Sequence, residues 1–162
     1  MYRYILFSTL SSVLILAHGG VKHTEKTTPP KTSSEIKAQQ FKTINKAYIA
    51  DIKPIFEAKC FACHASKPKD LPWYYSVPGV KQLMDYDMNT AKKHMDFKKD
   101  FPFLSHGTPT LDLKSLKEVI AEGEMPPLRY RVIHWDSGLT DKESKKVIQW
   151  VDKSLQILKA KN

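Results

Sequence analysis

The sequence Cys60-Phe61-Ala62-Cys63-His64 constrains the fold more than any other feature, and it contains both cysteines of the 162-residue chain. In the C-x-x-C-H pattern, two thiols add to the two vinyl groups on one edge of a haem, and the adjacent histidine reaches the iron. The pattern therefore predicts one covalently attached haem c. Cys60 and Cys63 are the expected attachment residues, and His64 is the expected proximal iron ligand.

Two other kinds of site use cysteines at this spacing. A C-x-x-C pair can be a redox-active thiol pair, or it can supply half of a structural zinc site. A thioredoxin-like redox motif expects a βαβ context, and a zinc site needs further ligands at close spacing. Neither is evident in the sequence, which therefore favours haem attachment.

Residues 1–19 have the features of an export signal. Arg3 precedes an apolar run from Tyr4 to Ala17, and small residues at its end are suited to cleavage. The run is interrupted by serine and threonine, and it is shorter than the roughly 20 apolar residues of a membrane span. We expect a cleaved signal peptide and a periplasmic protein, with an uncleaved N-terminal anchor as the alternative.

The remaining chain is divided by composition into two parts. We expect a polar linker and an N-terminal helix over residues 20–47, because lysine, threonine and proline dominate the start of this range. Residues 48–160 form the expected haem-binding domain, and their number suits one compact unit.

The spacing of apolar residues predicts an all-α domain with long loops. Expected helices begin near Ser34, Pro54, Val80, Asp112 and Thr140; Ser34 and Asp112 are the expected caps of two of them, Thr140 and Glu143 form a capping box, and Gly123 ends the fourth helix. No stretch has the alternation and composition of a strand. The loops at 65–78 and 124–138 are long for a small domain unless something binds against them.

Met125 is the preferred sixth ligand of the iron. It lies in Gly123-Glu124-Met125-Pro126-Pro127, where the prolines fix the backbone and place the thioether on a stiff loop. A thioether opposite an imidazole stabilises ferrous iron and raises the reduction potential. The alternative is that Met125 fills core space.

Other side chains remain candidates for roles around the haem. Met84, Met88 and Met95 have helical spacing and are expected in the core, whereas His94, His106 and His134 are alternative ligands or propionate partners. Trp73 and Tyr74 could pack on the haem and donate hydrogen bonds to a propionate, or they could be ordinary core residues. Arg129 and Tyr130 could also meet propionate charge.

The formal net charge of +9, mostly from lysine, bears on partners rather than on fold. Such a surface can attract an acidic redox protein or an anionic membrane face, or it can simply keep the protein solvated. Nucleic acid is disfavoured because no arginine cluster is interleaved with aromatic residues. We expect a monomer.

Several blocks occur in a familiar order: the C-F-A-C-H block, Pro72-Trp73-Tyr74, 93–97, 123–127, and His134 followed by Leu139-Thr140 and Trp150. Together they resemble the bacterial periplasmic haem-binding domain family, which is distantly similar to class I cytochromes c. The resemblance implies a class I cytochrome c-like helical domain whose long loops wrap around the haem. It also implies that His64 is the proximal ligand and that Met125 lies on the opposite face.

The leading functional hypothesis is a one-electron carrier that transforms no substrate and is not an enzyme. The alternative is a haem peroxidase or gas sensor, which requires an open or displaceable sixth position. In that case His106 or His134 would assist on the distal side.

Overall fold

The computed structural model describes residues 32–65 and 71–160 of the chain. The expected signal peptide at 1–19 and the linker up to residue 31 lie outside the described residues, so they stay predictions. The described part is mostly helical, which confirms the predicted all-α, cytochrome-like class. No helix within it is both long enough and apolar enough to cross a bilayer.

Within the described residues the α-helices are α1 Ser33–Ala47, α2 Lys53–Lys59, α3 Phe61–His64, α4 Val80–His94, α5 Pro109–Ala121, α6 Leu128–Ile133 and α7 Asp141–Lys159. A π-helical turn, Tyr48–Ile52, joins α1 to α2, and a 3₁₀ turn, Trp73–Ser76, precedes α4. A short strand β1, Met95–Asp96, pairs antiparallel with β2, Leu104–Ser105. This pair was not predicted, because two residues are too few to show alternation.

Two predicted helix caps were wrong. The N-cap of α1 is Thr32 rather than Ser34: the Glu35 amide donates to Thr32 Oγ1 at 3.3 Å, and the Glu35 carboxylate accepts from the Thr32 amide. The N-cap of α5 is Thr108, because Pro109 suits the first helical position. Asp112 therefore lies inside the first turn of α5, where its buried carboxylate accepts a hydrogen bond from Ser105 Oγ at 2.7 Å.

The other predicted helix boundaries are confirmed. Pro54 is in the first turn of α2, α4 begins at Val80, and Gly123 adopts φ +67° beyond the end of α5. Thr140 and Glu143 form the predicted capping box of α7, in which each side chain accepts a hydrogen bond from the other residue's amide.

The hydrophobic core lies where α7 packs against α1 and α5 and against the π-helical turn. Its centre is aromatic: the rings of Tyr48, Phe56, Phe97, Phe103 and Trp150 are buried. Edge-on contacts such as Tyr48 to Phe103, with ring centres 5.2 Å apart, join the helices to the segment around the strands. Because Phe56 precedes the first cysteine by four residues, this core positions the C-x-x-C-H segment.

We expect Thr140→Ala to lower the free energy of unfolding by about 1 kcal/mol, because it removes an N-cap acceptor. The Thr140 amide, which bonds the Glu143 carboxylate, holds the pKa of that carboxyl below its ordinary value. The stabilisation that comes from the ionised Glu143 carboxylate is present above the pKa of Glu143 in the unfolded chain. It is lost as the pH falls through the lower pKa of Glu143 in the folded protein. Urea unfolding measures the free energy of unfolding lost in Thr140→Ala. Lys142→Ala, at an exposed position, is the control and should change that free energy little.

Candidate haem site

The C-x-x-C-H segment begins where α2 ends and continues through α3. The amides of Cys63 and His64 both donate to the Cys60 carbonyl, at 3.2 and 3.0 Å. This tight turn is the reason that the first thiol and the imidazole, four residues apart, share one side of the chain.

The imidazole of His64 is oriented by the backbone. His64 Nδ1 lies 2.6 Å from the Met95 carbonyl, and its ring lies against Phe97 with ring centres 4.9 Å apart. A carbonyl only accepts hydrogen bonds, so Nδ1 must carry the proton and Nε2 must hold the lone pair. Such an outer contact fixes the tautomer and direction of a metal-ligating histidine.

Burial also favours the metal-binding form of this histidine. Removal from water lowers the pKa of His64 below its ordinary value, against a smaller opposing effect of the Met95 carbonyl. The neutral imidazole is the form that binds a metal. The tautomer and the protonation state of His64 are therefore both compatible with binding a metal.

The two thiols are sheltered and protonated. Burial raises the pKa of Cys60 to about 12, with smaller contributions from Cys63 and Glu143. Burial also raises the pKa of Cys63, and the charge of Asp87 adds to this effect. Cys60 packs against the core, whereas Cys63 lines a neighbouring cavity.

A cavity of about 330 Å³ opens beside Cys63. Apolar and aromatic side chains form most of its wall, and they include Phe61, Leu71, Tyr74, Met84, Met88 and Tyr130. The carboxylates of Glu57 and Asp87 are the acidic groups in the wall. A mainly apolar wall with few polar groups is typical of cofactor sites.

Tyr74 and Tyr130 are held in the cavity wall by His134. The Tyr74 hydroxyl lies 2.8 Å from His134 Nε2, His134 Nδ1 lies 3.2 Å from the Tyr130 carbonyl, and the Tyr130 and His134 rings stack at 4.1 Å. The carbonyl requires a proton on Nδ1, so Nε2 accepts the Tyr74 hydrogen. Trp73 touches Tyr74 edge-on but is 83% exposed, so it is not a core residue.

The structure does not place Met125 in the cavity wall. Met125 is 42% exposed on the loop between α5 and α6, so its assignment as sixth ligand stays a prediction. Met88 is buried as expected and also lines the cavity, where the half-buried Met84 lies beside it. Met95 is in the core as expected, although it lies in β1 rather than on a helix. His94 and His106, the other candidate ligands, are exposed.

Asp87 is a charged residue of the cavity wall that was not identified from the sequence. Arg129, considered earlier as a propionate partner, instead donates to it twice: Nη2 to Oδ1 at 2.6 Å and Nε to Oδ2 at 3.1 Å. A signal was present, because Met84, Asp87 and Met88 share one face of α4. The pair links α4 to α6 at the edge of the cavity.

Comparison with known proteins identifies the family. The model of the haem-binding domain family matches residues 16–153. The chain belongs to this haem-binding domain family. Cytochrome c peroxidase Ccp of Escherichia coli strain K12 is 34% identical over 99 residues, which are 60% of this chain and 21% of that protein. The chain thus spans about a fifth of that relative's length, and no solved structure matches it.

The residues of this haem-binding domain fit a haem. No group of three histidine, cysteine or carboxylate side chains is arranged to hold a metal ion within residues 32–65 and 71–160. In a haem protein the porphyrin supplies four nitrogen ligands to the iron, and a single imidazole can supply the proximal ligand. His64 offers that imidazole, and the apolar cavity beside Cys63 offers the surface against which a macrocycle packs. The family match, with which these residues agree, makes this a haem protein.

Proposed function

We propose that this protein is an exported monohaem cytochrome of the c type that transfers single electrons between redox partners. Cys60 and Cys63 hold the haem, and His64 is its proximal ligand. The observation that carries the proposal is the 2.6 Å contact of His64 Nδ1 with the Met95 carbonyl. His64 directly follows Cys63, whose thiol lines the cavity. When bound, the haem supplies an iron that alternates between the ferric and ferrous states.

The chemistry of attachment suits two sheltered thiols. Each thiol adds across a vinyl group: a carbon–sulfur bond forms, the thiol hydrogen goes to the other vinyl carbon, and no electrons are gained or lost overall. Redox-active C-x-x-C pairs instead have a lowered thiol pKa. Burial raises the pKa of both thiols here, which favours haem attachment over the thiol-redox alternative.

A peroxidase is the second candidate, supported by the similarity to the E. coli cytochrome c peroxidase. Its chemistry requires an iron position that peroxide can reach, and a gas sensor would need the same. An electron carrier requires a sixth ligand that stays bound. The proposal of a carrier therefore depends on Met125 reaching the iron in the loaded protein.

The location and partners proposed for the protein follow from the sequence. The pattern of residues 1–19 supports export to the periplasm, with an uncleaved anchor as the alternative. The chain has 26 basic against 17 acidic residues, which supports an acidic redox protein as partner. An anionic membrane face is the alternative docking partner, and nucleic acid is not proposed as a partner. We propose that the carrier is a monomer.

Haem staining on a denaturing gel tests the proposal most directly. The full chain, expressed in a host with cytochrome maturation machinery, should stain for haem and carry the mass of one porphyrin. A colourless protein with a reversible dithiol titration would instead be a thiol oxidoreductase. If haem is present, a high-spin ferric spectrum with carbon monoxide binding in the reduced protein would favour the peroxidase or sensor.

We expect Met125→Ala to remove the sulfur-to-iron charge-transfer band of the ferric protein and to lower its reduction potential, because a thioether ligand favours ferrous iron. The visible spectrum and a redox titration measure both effects. Met84→Leu is the matched control, because Met84 lies in the cavity wall. If Met84→Leu removes the band and Met125→Ala does not, Met84 rather than Met125 is the sixth ligand.

A further inference from the structure

The proposed function gives no role to the ion pair between Asp87 and Arg129, although the pair lies beside the cavity. Its geometry is bidentate, with both guanidinium contacts made to the two oxygens of one carboxylate. Such paired hydrogen bonds fix the direction of both groups. Two opposite charges are thus held in a defined arrangement between α4 and α6.

This arrangement lies at the cavity. Asp87 is part of the cavity wall, as is Tyr130, the neighbour of Arg129 in the chain. The thiol of Cys63 lies in the same cavity wall as Asp87. The same sulfur is the proposed attachment point of the macrocycle.

We propose that the Asp87–Arg129 pair sets the reduction potential of the haem, the carboxylate stabilising the ferric state and the guanidinium cancelling most of that effect. The inference rests on the proposed function, because it requires a haem beside Cys63. Ferric iron has one more positive charge than ferrous iron, so a nearby negative charge lowers the reduction potential and a positive charge raises it.

The two charges should not be equally strong. The Asp87 side chain is 26% exposed, whereas that of Arg129 is 58% exposed. Water screens the more exposed charge more completely. Removing the carboxylate should therefore shift the potential further than removing the guanidinium.

A role in stability alone explains the pair less well. Ion pairs at this exposure contribute little to folding, because solvent screening and the ordering of long side chains offset the attraction. A stabilising clamp would also give no reason for opposite effects on the potential. The sign of the two shifts therefore separates the electrostatic role from a structural one.

The test is a redox titration of the haem-loaded full chain carrying Asp87→Asn, Arg129→Gln or both. We expect Asp87→Asn to raise the potential and Arg129→Gln to lower it. Each should change the ferric-to-ferrous ratio at a fixed solution potential by at least about threefold. The double variant should lie between the two single variants, close to the unmodified protein.

A matched control uses a second ion pair on α4. Lys81 and Asp85 form an i,i+4 pair whose carboxylate is also partly exposed, and neither residue lines the cavity. Asp85→Asn and Lys81→Gln change the net charge by the same amounts and should shift the potential much less. Equal shifts in the control pair would mean that only overall charge matters, and this would overturn the inference.

Other outcomes also decide the question. Single variants that shift the potential in the same direction, or not at all, would overturn the role of the pair while the haem remains attached. Failure of the proposed function has a different signature, because the unmodified protein would then lack haem on the stained gel. Each titration is therefore preceded by the haem stain, so the two failures are distinguished.

Discussion

Replacing both cysteines, Cys60→Ala with Cys63→Ala, is expected to abolish covalent haem attachment completely. The chain has no other cysteine, so no thiol remains to form a thioether. The double variant should give no haem stain on a denaturing gel, and its mass should lack the porphyrin. This is the largest effect expected of any substitution in the chain.

The single variants sharpen this prediction. Cys63→Ala removes the thiol that lines the cavity and should leave at most one thioether, seen as a shift of the absorption of the haem in alkaline pyridine. Ala62→Ser, at the exposed position between the cysteines, should retain full staining. Haem that stays covalently bound in the double variant would show that attachment occurs elsewhere.

Phe56→Ala is expected to lower the free energy of unfolding by about 3–5 kcal/mol, because it empties a fully buried aromatic site. Phe56 is 0% exposed and contacts the rings of Tyr48, Phe97 and Phe103 at centre-to-centre distances of 5.8, 4.9 and 6.4 Å. Guanidinium unfolding of the haem-loaded protein, followed by far-ultraviolet circular dichroism, measures the loss.

An exposed residue provides the control for this core variant. Leu111 lies on α5 and is 54% exposed, so Leu111→Ala should change the free energy of unfolding by about 0.5 kcal/mol or less. Equal losses in the two variants would contradict the packing argument. Because Phe97 also contacts the His64 ring, Phe56→Ala should loosen the packing that supports His64, the proposed proximal ligand.

Local patterns predicted much of the helical framework. The capping box at Thr140 and Glu143, the glycine beyond α5 and the proline in the first turn of α2 each act within a few residues. Their effects on the backbone do not depend on distant neighbours, so they can be recognised directly. The choice between two neighbouring N-cap candidates was harder to predict, because Ser34 and Thr32 are both suitable residue types. Thr32 is the cap because Glu35, three residues later, completes a capping box with it.

The surroundings of the site could not be predicted in this way. His64 meets the Met95 carbonyl across 31 residues, Asp87 meets Arg129 across 42, and Tyr74 meets His134 across 60. Each contact requires elements far apart in the chain to pack in one particular arrangement. Met125 shows the same difficulty: the sequence identified the loop that contains it, but not that its side chain is exposed.

The sequence alone led to the proposal of covalent haem attachment, because C-x-x-C-H brings two thiols and an imidazole together within five consecutive residues. It also determined the helical class, since apolar periodicity and caps are local properties. Only the tertiary structure decided which backbone carbonyl orients His64, which side chains line the cavity, and that Arg129 pairs with Asp87. Those contacts join residues whose separation in the chain contains no information about their distance in space.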